Sequence, residues 1–145
     1  MLLTFITPDE ALYPQELELR FRVLREPLGH TRADVQFPFE RESLHLVASV
    51  EQVLVGCVLF HPEAEHGGRL FQMAVAPAWQ GQGLGRALVA TLEAELRRRG
   101  LHHVHLHARA PVVPFYERLG YAVYGEPFVE VGVPHRHMRR ALRDE

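Results

Sequence analysis

The chain has 145 residues, of which 47% are apolar and 23% charged, and a formal net charge of -2. That length fits a single domain over 1–145, with enough chain to bury roughly two thirds of its unfolded surface. The charge balance and the lack of a basic stripe interleaved with aromatics argue against nucleic acid, and no run of about 18 uncharged apolar residues argues for a membrane span.

Met1–Glu10 has no charged start, and its apolar run is too short for a signal peptide. The single cysteine, Cys57, excludes an internal disulfide and lies in an apolar run, so it reads as a buried structural thiol. A cytoplasmic protein is the simplest expectation.

Leu2 to Thr7 forms a first strand, closed by Thr7-Pro8-Asp9. A helix with Pro14 in its first turn follows, with Leu17, Phe21, Leu24 and Leu28 on its apolar face and Pro27 as its stop. Residues 29–43, GHTRADVQFPFERES, lack periodicity and read as a surface loop with a helical turn, either a connector or a specificity loop. Leu44–Val50 and Val53–Phe60 pair as a hairpin around Glu51-Gln52. HPEAEHGG is then a loop, and a strand begins near Arg69. Its run of Leu70, Phe71, Met73, Ala74 and Val75, ended by Pro77, suits a buried position in a sheet.

A glycine-rich turn and a helix follow at once. Gly81, Gly83 and Gly85 alternate with Gln82 and Leu84. Leu84, Ala87, Leu88, Thr91, Leu92 and Leu96 then share one helical face. Arg97, Arg98 and Arg99 complement the carboxyl end of the helix dipole, with Gly100 after the cap, and read as a solvated helix end rather than a polyanion site. In the next strand Val104 and Leu106 face one side and His103, His105 and His107 the other. A short helix at Pro114–Leu119, a strand in GYAVYGE, a turn at Val131–Pro134 and a last strand near His135–Arg140 complete the chain. This order predicts an α/β or α+β layer with a mixed sheet flanked by helices.

A glycine turn feeding a helix amino terminus is an anion site, because free amides and the positive dipole end both favour a phosphate. It is not a nucleotide P-loop, since Arg86-Ala87 follows Gly85 where that motif needs lysine and a hydroxyl. The dinucleotide fingerprint fails as well: its last glycine or alanine is Arg86 when counted from Gly81 and Leu88 when counted from Gly83. What remains is Q-x-x-G-x-G, from Gln80 to Gly85.

That string resembles the pyrophosphate loop of the GNAT N-acetyltransferases, which bind acetyl-CoA. PFYERLGY, residues 114–121, is similar to the family's FYE-x-L-G-[FY] helix, and EVGVPHRHM, residues 130–138, is similar to the closing segment of small bacterial members of the ElaA and YjcF type. The likeness of the two main motifs covers roughly residues 44–124. It implies a mostly antiparallel sheet that splays between the strand ending at Val75 and the strand ending near Ala108, with pantetheine in the gap.

On this resemblance, the backbone of Met73, Ala74 and Val75 pairs with pantetheine. The amides from Gly81, Gln82, Gly83, Leu84 and Gly85, with Gln80 and Arg86, hold the pyrophosphate. A primary amine attacks the thioester directly, a tetrahedral intermediate expels the CoA thiolate, and Tyr116 is the general acid. A phenol near pKa 10 is close to matched with a thiol near 8.5. Where many relatives carry asparagine this chain has Arg109, which reaches a CoA phosphate, an acidic substrate or solvent. Glu42, His45, His107 and a water relay are the candidate bases. His135 either lines the acceptor side or caps its turn. The resemblance also leaves a homodimer open.

Two other classes of function stand beside this one. The first is a non-catalytic acyl-CoA sensor or interaction module. The second is a histidine-based metal site drawn from His103, His105, His107, His135 and His137. Alternate strand residues, at about 7 Å, stand too far apart to share one zinc ion easily, and no cysteine or carboxylate cluster completes a set, so no metal is expected.

Overall fold

A computed structural model describes residues 1–63 and 65–142. β1 (Leu2–Ile6) is followed by α1 (Tyr13–Arg20), which opens with Pro14 in its first turn. Pro27 does not stop the helical path as predicted. The chain passes through a π-helical turn at Phe21–Arg25 and a 3-10 turn at Glu26–Leu28, and Gly29, at φ 80°, ends it. Proline suits the start of the 3-10 turn, where its missing N–H has no partner to lose.

β2 (Leu44–Val50) and β3 (Val53–Glu63) form the expected antiparallel hairpin. Glu51 and Gln52 take φ of 49° and 67°, the turn geometry that matches strand twist, here without glycine. The segment expected to be a loop at 61–68 is largely strand: His61–Glu63 extend β3, and Gly67-Gly68 begin β4 (Gly67–Val75). A Cβ on Gly68 would lie 2.3 Å from the His61 carbonyl oxygen, so the approach of the two strands requires glycine there.

α2 (Leu84–Arg98) crosses from β4 to β5 (His103–Arg109), and α3 (Val113–Arg118) leads to the hairpin of β6 (Ala122–Glu130) and β7 (Val133–Ala141). The seven strands are ordered β1-β2-β3-β4-β5-β7-β6, antiparallel throughout except for the β4–β5 pair. Among the described residues no helix is long and apolar enough to cross a membrane.

Strand alternation divides the core between the two faces of this sheet. Leu46, Val58, Phe60, Leu70, Leu106 and Met138 pack against α2 and α3. Val47, Cys57, Leu59, Phe71 and Ala74 pack against α1 and the segment that follows it. The buried stripe of α2 is Leu84, Leu88, Val89, Leu92, Glu93 and Leu96, so Val89 and Glu93 replace Ala87, which is exposed, and Thr91, which is half-buried. Glu93 is tolerated because Tyr121 Oη donates to it at 2.8 Å and Arg140 Nη1 at 2.8 Å.

Four charged side chains anchor α1 to the sheet. Arg20, with no exposed surface, donates to Glu16 at 2.8 Å and to Glu40 at 2.9 and 2.6 Å. His45 Nδ1 meets Glu16 at 3.0 Å, and its Nε2 meets the Glu40 carbonyl at 2.8 Å. Since both ring nitrogens face acceptors, the ring is the imidazolium. Burial opposes its charge, but Glu16 outweighs this and holds the His45 pKa above its ordinary value. Burial likewise opposes ionisation of Glu40, and Arg20 outweighs it and holds that carboxyl below its ordinary value.

These shifts set the pH dependence of folding. The His45 contribution is full below its unfolded value near 6.5 and is lost as pH rises through the raised folded value. The Glu40 contribution is present above its unfolded value near 4.5 and is lost as pH falls through the lowered folded value. Glu16→Gln leaves the buried Arg20 and His45 cations with Glu40 as their one anion and is expected to reduce unfolding free energy by about 3–5 kcal/mol in denaturant titration. His45→Gln should remove the alkaline loss of stability; an unchanged pH profile would contradict the ion pair.

Candidate active site

The sheet opens at its one parallel pair. β4 and β5 pair only at Gly67 with His103, Gly68 with Val104 and Arg69 with His105. Beyond Arg69 the strands diverge. The β3–β4 register shifts between Cys57, opposite Ala74, and Leu59, opposite Phe71, so Gln72 and Met73 both face Val58. Gln72 takes φ 53°, and the Cys57 thiol donates to its carbonyl at 3.4 Å. Such a bulge bends the strand and increases its twist, which carries β4 away from β5. The resulting cavity has a volume of about 690 Å³. Its walls are Leu70–Val75 and Leu106–Arg109, roofed by Val23, Leu24 and Arg25.

One end of the cavity is the glycine turn. Gly81 and Gly83 have φ of 75° and 85°, and open space lies where their Cβ atoms would be. Ala87 N makes the first α2 bond, to Gly83 O at 3.0 Å, so the amides of Leu84, Gly85 and Arg86 precede the hydrogen-bonded helix. No side chain caps this end. Gly56 seats it: a Cβ there would lie 3.1 Å from Leu84 and 3.2 Å from Leu88. The side chains of Gln80 and Gln82 brace the turn, with Nε2 of each donating at 2.9 Å, to Val75 O and Ala78 O.

Tyr116 stands on α3, buried, with Phe115 edge-on at 5.0 Å and Tyr121 at 5.7 Å between ring centroids. Among the described residues its hydroxyl has only the Met73 thioether, at 4.0 Å, as a partner, whereas the Tyr121 hydroxyl is satisfied by Glu93. Burial pushes the Tyr116 pKa up, so the phenol keeps its proton.

The other end is polar. His107 Nδ1 lies 2.8 Å from Glu130 and 3.2 Å from Arg69 Nη2. The hydrogen bond from His107, with Arg69 and His135 nearby, holds Glu130 below the usual carboxylate range. His135 Nδ1 lies 2.9 Å from Val133 O, a pure acceptor, so the neutral ring carries its hydrogen on Nδ1 and its lone pair on Nε2. Arg109 Nη2 donates to the Leu24 carbonyl at 2.6 Å, a main-chain partner absent from the sequence-based expectation.

Met73, Ala74, Val75, Gln80, Gly81, Gly83, Leu84, Gly85, Arg86, Arg109 and Tyr116 all line the cavity; Gln82 does not. Two candidate bases fall outside it. His45 has both nitrogens engaged in the α1 cluster, and Glu42 is exposed beyond the cavity wall. Arg25, Arg69 and Glu130 are cavity residues that sequence reading passed over, because only the sheet order and the π-helical turn packed on it bring them together.

Among the described residues His103, His105, His107, His135 and His137 form no group of three or more at ligand spacing. Among the described residues the group that approaches ligand spacing is Glu16, Glu40 and His45, which Arg20 already bridges. His105 and His107 instead pair with Glu63 at 2.7 Å and Glu130 at 2.8 Å, and His137 stacks on Phe128 at 4.2 Å. Arg98 and Arg99 pair with Glu95, in keeping with a solvated helix end.

The Acetyltransferase (GNAT) domain family matches residues 23–142. A Bacillus subtilis (strain 168) protein named as an acetyltransferase is 29% identical over 133 residues, covering 90% of this chain and 89% of its own. The solved structure of an acyl-CoA N-acyltransferase from Pseudomonas aeruginosa superposes with a TM-score of 0.81 at 26% identity, covering 96% of this chain and 98% of that one. Escherichia coli ElaA shares the fold, with a TM-score of 0.83 at 20% identity, covering 97% and 99% of the two chains.

Cys57, fully buried behind the bulge, has its thiol pKa pushed well above the ordinary range by desolvation. It should stay inert to an aromatic disulfide reagent in the native protein and release one equivalent in guanidinium. Rapid native labelling would contradict the closed packing of β3 on β4.

Proposed function

The chain belongs to the GNAT acetyltransferases, and from that premise we propose that it moves an acetyl group from acetyl-CoA to a primary amine. The observation that carries this reading is the open edge of β4, leading from the Tyr116 hydroxyl to the uncapped amino end of α2. A strand edge without a neighbour offers amides and carbonyls to an extended amide-bearing arm, as pantetheine is. The space at Gly81 and Gly83 admits a pyrophosphate to the free amides of the helix end.

In this reading Met73, Ala74 and Val75 line the arm of the donor, and the amides from Gly81 to Arg86 hold its phosphates. Gln80 and Gln82 act by holding the turn in shape rather than by touching the ligand. The amine nitrogen attacks the acyl carbonyl carbon. The C–S bond breaks as the tetrahedral adduct collapses, and the Tyr116 proton passes to the departing sulfur. The raised pKa keeps that proton in place until thiolate charge develops beside it. The excess proton on the new amide nitrogen passes to His135 Nε2, whose lone pair is fixed by the Nδ1 bond to Val133.

The Tyr116 hydroxyl, held only by the weak Met73 thioether acceptor, favours catalysis over a sensor that only binds acyl-CoA. Calorimetric titration with acetyl-CoA should show saturable binding near one per chain, weakened about tenfold or more by Gly83→Glu, which places a side chain and a negative charge at the helix end. Tyr116→Phe should lower kcat by about 10²- to 10⁴-fold with donor affinity nearly unchanged. Equal loss of both would remove the acid role, and binding without turnover of any amine would favour the sensor.

A further inference from the structure

The Leu24 carbonyl oxygen accepts from two guanidinium groups, Arg109 Nη2 at 2.6 Å and Arg25 Nη1 at 3.3 Å. Two cations therefore converge on one neutral oxygen. Arg25 is only 8% exposed, and it lines the cavity with Arg109. Among the described residues neither hydrogen-bonds to a carboxylate or lies within ion-pair distance of one, and Glu130 acts on both only at longer range. A buried guanidinium is ordinarily paired, because desolvation without a counter-charge costs several kcal/mol. Glu130, the one acidic residue among the described residues that line the cavity, is already engaged by His107 at 2.8 Å and lies 3.9 Å from Arg69.

We propose that Arg25 and Arg109 form an anion-binding subsite in the acceptor half of the cavity, and that the acceptor is a small amine bearing its own carboxylate. The inference rests on the acyl-transfer reading above and narrows its acceptor. The π-helical turn brings Arg25 to the cavity roof, and the last residue of β5 brings Arg109 to the wall. Both lie on the side of Glu130 and His135, whereas the free amides of the glycine turn supply an anion site for the donor at the opposite end. A carboxylate held by the two forks orients the amine of the same molecule toward Glu130, His135 and the acyl carbon. An amine without a carboxylate leaves the two cations without that counter-ion and binds more weakly.

The test titrates the CoA-loaded protein by calorimetry with glycine, β-alanine, γ-aminobutyrate and L-glutamate, and with the corresponding amides. At least one acid should bind about tenfold or more tightly than its amide. Arg25→Gln and Arg109→Gln should each reduce that preference by about tenfold to a hundredfold, with Arg25→Lys recovering part of it. Circular dichroism and acetyl-CoA titration on the same variants report folding and the donor site.

Acids and amides that bind alike, or four acids that all fail to bind, would overturn the subsite. So would loss of acetyl-CoA affinity in the folded Arg25→Gln and Arg109→Gln variants, which would assign the arginines to the donor. Failure of the wild-type protein to bind acetyl-CoA at all is a separate result and would sink the acyl-transfer reading itself.

Discussion

Parallel pairing between β4 and β5 lasts for three residue pairs and then ends, and every feature of the cavity depends on that break. A strand in the middle of a sheet normally satisfies both of its edges, since a buried N–H or C=O without a partner costs about as much as a lost hydrogen bond. Here β4 keeps its β3 edge through Ala74 and Val75 while its other edge faces the cavity. The bulge at Gln72-Met73 allows this. It absorbs an extra residue on the β3 side, turns the strand, and delivers the Met73 thioether to the Tyr116 hydroxyl. The same divergence leaves room for α2 to begin at Gly83 with its first amides free.

Holding two diverging strands open requires rigid packing behind them, and the charged cluster beneath α1 supplies it. Glu16, Arg20, Glu40 and His45 pair two anions with two cations, and each is 4% exposed or less. They join α1 to the 3-10 turn at Glu40–Glu42 and to β2, which follow it at a distance in sequence, 20 residues from Arg20 to Glu40 and 29 from Glu16 to His45. Arg20 Nε also reaches Gln72 Oε1 at 3.3 Å, so the cluster touches the bulged residue itself. The chain leaving Arg20 enters the π-helical turn that forms the cavity roof. A π turn widens the helix and frees carbonyls from the usual ladder, and the Leu24 carbonyl is used by arginine side chains instead.

The sequence was most legible where function and local structure use the same residues. Gln80 to Gly85 announces a turn, a helix start and an anion site together, and Phe115-Tyr116-Glu117 announces a helix whose tyrosine faces inward. Features made by distant pairing were not legible. His45 looked like a candidate base because its spacing says nothing of Glu16 and the Glu40 carbonyl. The strand ends at 61–63 and 67–68 were hidden by proline and glycine, which read as loop until the close approach of His61 to Gly68 is known. The α2 stripe was misread at Glu93 because its partners, Tyr121 and Arg140, come from the link between α3 and β6 and from β7.

Tyr116 and Tyr121 show why motif and environment have to be taken together. Both belong to PFYERLGY, both are buried, and burial raises the pKa of both. Glu93 fixes the Tyr121 hydroxyl in the core and, as an acceptor, holds its proton there. Tyr116 faces only a thioether, a weak acceptor that competes poorly with an incoming anion. A desolvated phenol with no strong partner is a poor acid toward water and a good donor to a charge that develops within contact distance, because the low dielectric that raises its pKa also strengthens the attraction. The break in the sheet is what separates the two tyrosines. Tyr121 lies over continuous packing and Tyr116 over the gap, so on the proposed reading the element that opens the cavity also decides which phenol can act.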